Sequence, residues 1–580
     1  MNLFSLKSAS SADFLTSESF DCNDSFGHGF FQRRLLLLSI ISIFIGNSET
    51  AIMSVIAKDV DHWCKQPPAL NVSVASWKKR AIPVEEDGRF SRCHVYKHPE
   101  DPNDTQVVPC DEWSYDDQRA VQTIVSVWNL VCPRSGLLVL ALAIQYLGSI
   151  VLLVTTGPVS DWIGRAPAIT VVIPILLVTT VIGCVPTTYF FFAIVRFFVS
   201  GSAMCSLALC TIINFEVMAH QNRPLHVILC FALGFVLADT WISIMGYIEM
   251  NWTLKQAIFV APTLLSLPAV FVMPESPRWL IASGRLKAAE CVMLEAAKKN
   301  KFPLPSTASL LDRLSAQVDK NKGRIGSGGE YMLEGCSVRQ RALIMFGSYF
   351  SISFSLYVTI FSSASRREGI LQIISSVVTL LGFAWMLVVV TKFPLLKILT
   401  GCFATLGAAQ CALSLATALN PPIISHALIV VIRPLVGVGM VVSIAYTLEL
   451  FPTALRGTAL CWTLGSGRIG TVCAFVMFKL QQFGREDVAF ATAGSLMLAS
   501  VLAFRRLPPA TTVECAKIKA SRQSALRNEV MGHMKRTLEQ PTPERRFQGR
   551  QSPATPSKAS SRKSKSRLGK SPKPRKQRDN

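Results

Sequence analysis

Charged residues are scarce in this chain of 580 residues. They make up 17% of the sequence, whereas hydrophobic residues make up 50%, and the mean hydropathy is +0.37. Soluble domains carry about 25% charged residues, so this composition excludes an ordinary pair of soluble domains. The apolar residues are also grouped into long runs, which predicts a protein that crosses a membrane.

Patterns typical of catalysis or of ATP-driven work are lacking as well. The eight histidines are scattered along the chain, and we find no metal-ligand spacing, nucleophile elbow, phosphate-binding loop or ATP-binding cassette. We therefore expect no enzymatic activity, no cofactor and no metal site. If the protein moves a solute, then a gradient, exchange or facilitated diffusion must drive the movement.

Twelve apolar runs with few charges are long enough to span a bilayer, which takes about 20 residues. They predict an all-α membrane protein with 12 transmembrane helices in two six-helix halves, separated by a polar interruption. The predicted spans are 35–56, 136–156, 168–186, 188–209, 225–247, 255–273, 341–361, 370–390, 398–416, 422–446, 457–478 and 486–504.

The basic residues predict which ends of the spans face the cytosol. Arg33 and Arg34 precede span one, Arg165 lies between spans two and three, and the central loop is rich in Lys and Arg. These positions share one side when the spans alternate, as the positive-inside rule requires, and the N-terminus carries no cleavable signal pattern. The predicted segments are a cytosolic N-terminus (1–32), a first half (33–273) with a large extracellular loop (57–131), a cytosolic central loop (274–340), a second half (341–505) and a disordered basic cytosolic tail (506–580).

The segment at 57–131 has the features of an extracellular loop. It carries two N-glycosylation sequons and three cysteines, and a fourth cysteine follows at its end, an even number that suits an oxidising compartment. Two disulfides with any of three connectivities are predicted; chance sequons and free thiols are the alternative. The residues are Asn71, Asn103, Cys64, Cys93, Cys110 and Cys132.

The formal net charge of +22 is concentrated in the C-terminal tail. Residues 511–580 contain 19 Lys and Arg against 5 Asp and Glu, a net of +14 that leaves +8 for the rest of the chain. With almost no apolar residues the tail cannot form a core, which predicts disorder. We expect it to contact anionic lipid head groups, at about 1 kcal/mol per basic residue, or to be plainly solvated, rather than to bind nucleic acid.

The two halves carry the same pattern of charges. An arginine lies inside spans four and ten, offset by 237 residues, and a Glu-x6-Arg pair closes each of these spans, offset by 233. Such duplication is typical of a transporter whose site lies between its halves. The repeated residues are Arg196 and Arg433, Glu216 with Arg223, and Glu449 with Arg456.

These repeated charges have predicted structural roles. An arginine in the middle of a span costs about 2.5 to 3.5 kcal/mol unless it is paired or faces water, so Arg196 and Arg433 must face the bundle interior. We expect each of them to bind a carboxylate or helix carbonyls rather than substrate. Glu216 and Glu449 lie at the cytosolic edge, where each can bond a loop arginine and control opening.

A G-x-G-x-x-G pattern, Gly465 to Gly470 in "TLGSGRIGTV", suggests a dinucleotide-binding turn. It lies inside span eleven and follows no strand, so that interpretation fails. Gly457, Cys461 and Gly465 recur every four residues and predict a face that another helix approaches closely. Arg468 lies roughly 17 Å from the cytosolic start of the span, near the midplane where transporter substrates bind.

Several stretches resemble motifs of known transporters. "GPVSDWIGRAP" at 157–167 resembles the loop between spans two and three of the major facilitator superfamily. "PESPRWLIASGR" resembles the segment after span six in sugar transporters and in the organic cation and anion transporter family. "PCDEWSYDD", "VWNLVC", "FGHGFFQRR" and "YTLELFPTALRG" are more particular to that second family. The resemblance covers the chain up to about 508 and implies a multi-pass transporter of the plasma membrane.

The resemblance also implies roles for the first of these loops. In the family its charges hold the cytosolic side closed, and Asp161, Gly164 and Arg165 retain that pattern. The chain departs from it at Trp162 and Ala166, where the family has arginine. We expect a weaker closure as a result.

At the position of Arg468 the resemblance implies a choice of substrate charge. Organic anion and carnitine-like members have arginine there, whereas polyspecific cation transporters have an acidic residue. A guanidinium binds carboxylate or sulfate in bidentate fashion, so Arg468 favours an organic anion. The alternative is an internal ion pair of Arg468 with Glu49 of span one. If Glu49 is instead free to meet a cationic group, a carnitine-like zwitterion suits both charges.

The remainder of the pocket is expected to be aromatic, because amphipathic ions need an apolar wall and quaternary ammonium groups favour ring faces. Lipid-facing or core positions are the alternative for any one ring. The competing functions are an organic cation transporter and a non-transporting receptor or scaffold of the same fold. The predicted wall residues are Tyr349, Phe350, Phe354, Tyr357 and Tyr446.

Overall fold

The structure is a computed structural model. The described residues do not include Asn71, Asn103, the N-terminal segment or the C-terminal tail. The predictions about glycosylation at these two asparagines and about the two terminal segments therefore stay predictions. It describes residues 26–508 except 59, 68–71, 86–87, 100–105, 117–121, 186–187, 220–221, 304–335, 362–368, 420–421 and 483–485.

Twelve helices correspond to the predicted spans, which confirms the all-α membrane fold. In the described part, eleven of them are long and apolar enough to cross a membrane, and α8 adds an apolar stretch at Val377–Lys392. The helices are Phe30–Ala51 (α1), Ser135–Ile163 (α2), Arg165–Ile182 (α3), Tyr189–Val217 (α4), Arg223–Tyr247 (α5), Trp252–Val272 (α6), Cys336–Phe361 (α7), Gly369–Lys392 (α8), Leu395–Leu419 (α9), Pro422–Leu450 (α10), Arg456–Gln482 (α11) and Glu486–Phe504 (α12).

Several helices run further toward the predicted cytosolic side than the apolar runs indicate. Helices α2, α4 and α10 continue past the predicted ends of spans two, four and ten. The added turns carry Asp161, Glu216 and Glu449. Hydropathy marks only the apolar part of a helix, so it ends a span before these polar turns.

Helix α6 changes character along its length. Trp252–Val260 is α-helical, Ala261–Ser266 forms a tighter 3-10 segment, and Leu267–Val272 is α-helical again. Pro262 and Pro268 each lack an amide donor, so the regular hydrogen-bond ladder cannot continue through them.

The predicted extracellular loop is folded around two disulfides. Cys64 is bonded to Cys110 and Cys93 to Cys132, which selects one of the three possible connectivities and confirms the predicted disulfide bonding. β1 pairs antiparallel with β4, and β2 with β3. The strands are His62–Cys64 (β1), His94–Tyr96 (β2), Val107–Pro109 (β3) and Trp113–Tyr115 (β4), and the loop also contains the helices Val74–Ala81 and Ile124–Val127.

Two helices follow α6 on the predicted cytosolic side, Pro277–Ala282 and Leu286–Asn300. The amide of Asn300 fastens the second of them to the start of α1: its Oδ1 accepts from the Phe31 N–H at 2.9 Å, and its Nδ2 donates to Gln32 Oε1 at 2.9 Å. The segment after the first half is therefore attached to the first span.

The two halves are packed on one another. Helix α2 contacts α11, and α5 contacts α8 and α10. Buried apolar side chains from both halves form one continuous cluster. Residues that bridge this boundary are therefore candidates for binding and for conformational control.

Candidate functional site

Arg196 is held inside the first half by a carboxylate and a carbonyl. Its Nη1 lies 3.4 Å from Glu49 Oε2, its Nη2 donates to the Glu49 carbonyl at 2.9 Å, and Gln145 Oε1 accepts from it at 3.4 Å. Both charged side chains are 1% exposed. Glu49 is thus paired with Arg196, which differs from the alternative in which it pairs with Arg468.

The corresponding arginine of the second half reaches across to the first half. Arg433 on α10 interacts electrostatically with Asp239 on α5. Asp239 is half-buried, and the two helices are in contact. The repeated arginines therefore have different surroundings. Arg196 pairs with a carboxylate of its own half, whereas Arg433 interacts with a carboxylate of the other half.

At the cytosolic end, Glu216 lies between two buried arginines. Its Oε1 accepts from Arg456 Nη1 of the second half at 2.9 Å, and its Oε2 lies 3.5 Å from Arg165 Nε of the first half. All three side chains are at most 2% exposed. The repeated Glu-x6-Arg motif thus works across the halves here, because the arginine of the second copy binds the glutamate of the first.

Asp161 joins the same network at the start of α11. Its Oδ1 accepts from the Gly457 N–H at 3.0 Å, and its Oδ2 accepts from the Thr458 N–H and hydroxyl, each at 2.7 Å. Arg165 donates to Asp161 Oδ1 at 2.9 Å and to the carbonyl of Thr453 at 2.5 Å. These bonds hold the cytosolic ends of the two halves together.

Glu275 supports this network from the segment after α6. It accepts from the backbone N–H groups of Arg165 and Ala166 at 2.9 and 3.1 Å. Gly164 has φ +118 and presses against this carboxylate, so a side chain there meets both backbone strain and Glu275. Burial raises the pKa of Glu275 above its ordinary value, although these hydrogen bonds and the charge of Arg165 oppose the rise.

The other predicted cytosolic residues stabilise the helix ends. Arg223 donates to the Met218 carbonyl at 3.3 Å and lies 5.1 Å from the centre of the Phe215 ring. Tyr446 donates to the Pro508 carbonyl at 3.3 Å and lies near Glu449. This placement corrects the prediction that Tyr446 lines the substrate path: it lies three residues before Glu449, at the cytosolic end of α10.

Arg468 lies on α11 where the two halves meet. Its Nη2 contacts Met204 Sδ of α4 at 2.9 Å, and its guanidinium lies 5.8 Å from the centre of the Tyr146 ring of α2. A thioether is only a weak hydrogen-bond acceptor. Among the described residues no carboxylate forms an ion pair with Arg468, so most of its donors are available to another group.

Aromatic side chains from both halves surround this position. The hydroxyls of Tyr146 and Tyr357 are 3.0 Å apart, and Phe475 lies 5.8 Å from the first ring and 6.5 Å from the second. Tyr349 also interacts electrostatically with Arg468. The structure thus brings three of the predicted residues together, Arg468, Tyr349 and Tyr357, and adds Tyr146 and Phe475 to them.

Among the described residues, no hydrogen bond or cation–π contact joins Arg468 to the other two predicted wall residues of α7. The rings of Phe350 and Phe354 are stacked with centroids 6.3 Å apart. Phe350 lines a groove between α7 and α12. Their place in the substrate path therefore stays a prediction.

The glycines of α11 allow close packing on both of its sides. A Cβ at Gly467 would lie 2.6 Å from the ring of Tyr349, and Gly470 abuts the backbone of Phe350. On the opposite side, a Cβ at Gly157 of α2 would lie 2.9 Å from Cys461 Cβ. The small residues thus hold α11 between α2 and α7, which positions Arg468 between the halves.

Sequence reasoning missed several of these residues for a physical reason. Tyr146, Met204 and Phe475 occur in apolar runs where their side chains suit lipid or core equally well. Asp239 gave a usable signal, since a carboxylate inside an apolar run needs a partner. Glu275 lies in a motif that the sequence analysis identified, but its target, the backbone after Gly164, is set by tertiary structure.

Two six-helix halves that meet around buried charges, with polar bonds fastening their ends, define a membrane transporter. Residues 81–518, more than half of the chain, match the family described as sugar (and other) transporter. The chain belongs to this family of the major facilitator superfamily, and within the superfamily to the organic cation/anion transporter family. The family consists of multi-pass transporters of the plasma membrane, not of enzymes.

Individual relatives are similar over most or about half of their length. Solute carrier family 22 member 7 of Rattus norvegicus is 26% identical over 473 residues, covering 77% of this chain and 87% of the relative. Organic cation/carnitine transporter 2 of Mus musculus is 25% identical over 302 residues, covering 48% and 53%. The proton:xylose symporter XylE has the same fold, with a TM-score of 0.59 and 16% identity over 81% of this chain and 94% of XylE.

Proposed function

We propose that the protein is a secondary transporter of small amphipathic organic anions, working by alternating access, and that Arg468 binds the anionic group. One observation carries the proposal: a guanidinium lies inside the bundle, between the halves, and no described carboxylate pairs with it. Arg468 is half-buried, and a cation inside a membrane-spanning bundle without a counter-charge is costly. An incoming carboxylate or sulfate would supply that charge.

The neighbouring side chains suit the organic part of such a substrate. Tyr146, Tyr349, Tyr357 and Phe475 offer ring faces, and the tyrosine hydroxyls offer polar contacts. Pockets for amphipathic ligands combine apolar walls with a few polar groups that fix orientation. An aromatic carboxylate or sulfate therefore fits this site better than a small inorganic anion.

The alternation of access would use contacts at the two ends of the site. Glu216 with Arg456 fastens the halves on the predicted cytosolic side, and the hydroxyls of Tyr146 and Tyr357 join the halves on the other side of Arg468. If the cytosolic ion pair breaks while the tyrosine contact holds, or the reverse, the site is exposed to one side of the membrane at a time.

A zwitterionic substrate is a second candidate, supported by the relative named as an organic cation/carnitine transporter. In the described structure Glu49 is neutralised by Arg196, 3.4 Å away. A cationic group would have to compete for that carboxylate, so the quaternary ammonium of a carnitine-like molecule would instead lie against the ring faces. A purely cationic substrate is disfavoured because it meets the charge of Arg468.

The test is uptake of a radiolabelled aromatic carboxylate by wild type and by three variants at one position, normalised to surface expression. Losing a charge-assisted contact costs about 1.5 to 3 kcal/mol, or roughly tenfold to over a hundredfold in affinity. Arg468→Ala should lose that much affinity for the carboxylate. Arg468→Lys should lose less affinity because it keeps the positive charge, and Arg468→Asp should lose the most.

Two results would reject the assignment. Unchanged anion uptake by Arg468→Ala would show that another residue binds the anionic group. If the wild type carries no organic ion at all while it reaches the surface, the non-transporting receptor or scaffold is favoured instead.

A further inference from the structure

A groove of about 700 Å³ runs between α7 and α12 on the predicted cytosolic side. Arg339 near the start of α7 and Arg506 just after α12 stand at its cytosolic end. Leu343 and Leu496 line its walls, and Leu343 is 62% exposed. The groove thus combines a cationic entrance with an apolar interior.

A pair of hydroxyls joins the two helices along the groove, and Leu496, four residues before Ser500, continues the lining beyond this pair. Ser351 of α7 and Ser500 of α12 lie with their Oγ atoms 3.1 Å apart. Twelve residues separate Arg339 from Ser351, which is about 18 Å along a helix. The hydrocarbon region of one leaflet is about 15 Å thick, half of the roughly 30 Å of the bilayer core. The groove therefore runs from the lipid head groups to near the midplane, the depth that one acyl chain occupies.

The two arginines lack counter-charges within the described part of the protein. Both are exposed, and neither forms an ion pair with a described carboxylate. Gly347, midway along the groove, has open space where a Cβ would lie, since nothing described comes within 4 Å. Both the charge and the volume are consistent with an occupant that is anionic at one end and apolar along its length.

We propose that this groove binds one anionic phospholipid of the cytosolic leaflet, with the phosphate at Arg339 and Arg506 and an acyl chain along Leu343 and Leu496. Residues 511–580 of the basic tail are a poor occupant because their net charge of +14 repels the arginines. The segment 304–335 carries four basic and four acidic residues, so it lacks the excess negative charge that the entrance requires. A phospholipid supplies both the charge and the chain.

The bound lipid would act on the substrate site through α7. The groove and the ring of Tyr349 lie on the same helix, and Tyr349 packs against Gly467 beside Arg468. A lipid wedged between α7 and α12 would hold the cytosolic part of α7 in place. Anionic lipid is thereby a candidate regulator of transport as well as a structural ligand.

The experiment uses the full-length protein in nanodiscs of phosphatidylcholine with or without phosphatidylserine that carries a photoactivatable acyl chain. Cross-linked peptides are identified by mass spectrometry, and retained lipid is counted by native mass spectrometry. The variants are Arg339→Gln with Arg506→Gln, which removes the charges, and Gly347→Trp, which fills the groove. Arg505→Gln is the matched control, since Arg505 is exposed beside Arg506 but does not line the groove.

The wild type should retain one phosphatidylserine and show cross-links in α7 and α12. At about 1 kcal/mol for each basic residue, the double variant should bind phosphatidylserine roughly thirtyfold more weakly than wild type. Gly347→Trp should lose the cross-links in α7 and α12. Arg505→Gln should behave as wild type.

Three outcomes would overturn the proposal. Equal retention by wild type and double variant would show that the arginines do not bind lipid. If Arg505→Gln loses as much bound phosphatidylserine as the double variant, the lipid is attracted to the basic surface in general and not to the groove. Cross-links confined to other helices, with 304–335 found against α7, would show that the protein's own loop fills the groove.

Discussion

Glu216→Gln tests whether the cytosolic ends of the halves are held together by charge. Glu216 lies 2.9 Å from Arg456 and 3.5 Å from Arg165, with all three side chains buried. Breaking a buried pair by removing one partner costs about 3 to 5 kcal/mol. Asp161 still neutralises Arg165 at 2.9 Å, so we expect the lower end of that range.

The part of this cost that comes from Arg456 falls on the closed arrangement alone, because the contact between Glu216 and Arg165 lies within the first half. When the cytosolic ends separate, Arg456 and Glu216 are apart in wild type and variant alike. A loss of about 3 kcal/mol therefore raises the population that is open to the cytosol by roughly a hundredfold.

The natural thiol of Cys461 reports this opening. It is buried where Gly157 of the other half packs against it. Labelling by a charged maleimide, measured for each cysteine by peptide mass spectrometry, should be slow at Cys461 in wild type and at least tenfold faster in Glu216→Gln. Cys210, buried inside the first half beside Ser42, is the internal reference and should stay slow.

The matched control variant is Glu295→Gln. Glu295 is 57% exposed and pairs with Lys299, and an exposed pair of this kind contributes about 0 to 1 kcal/mol. Its labelling rates should equal those of wild type. The reasoning is refuted if Glu216→Gln leaves Cys461 as slow as wild type, or if Cys210 accelerates equally, which would indicate local unfolding instead of opening.

Two further predictions concern topology and the tail. Glycosidase treatment should increase the mobility of the wild type, and an Asn71→Gln and Asn103→Gln double variant should show no such shift; a wild type without any shift would contradict an extracellular 57–131 loop. Deleting 516–580 should lower retention at the plasma membrane but leave uptake per surface molecule unchanged, because the tail lacks the apolar residues needed to pack against the bundle. A large fall in that normalised uptake would show that the tail takes part in the transport cycle.

Hydropathy and loop charges predicted the helices well because a bilayer demands long apolar runs with satisfied backbones. The same physics identified the residues that cannot remain unpaired: Arg196 and Glu216 lie at buried ion pairs, and Arg433 lies at a half-buried electrostatic contact. The partners of these residues could not be predicted from the sequence. Glu216 binds Arg456 across the halves, 240 residues away, and nothing in the spacing of either motif specifies that choice.

Aromatic residues were less predictable than charges. Tyr349 and Tyr446 look alike in sequence, since each lies in an apolar helix, yet one lies beside Arg468 and the other bonds Pro508 at a helix end. An aromatic ring lowers its free energy equally in lipid, in the core or in a pocket, so periodicity alone cannot assign it. The glycines of α11 were more informative, because close helix approach is possible only at small residues.

The central claim is that the guanidinium of Arg468 selects an anionic substrate. The most direct measurement is the initial uptake rate, per wild-type molecule at the surface, of three radiolabelled compounds: an aromatic carboxylate, carnitine and a quaternary ammonium cation. The account predicts the fastest uptake for the carboxylate, measurable uptake for carnitine and none above background for the cation. Uptake of the cation alone would contradict the claim.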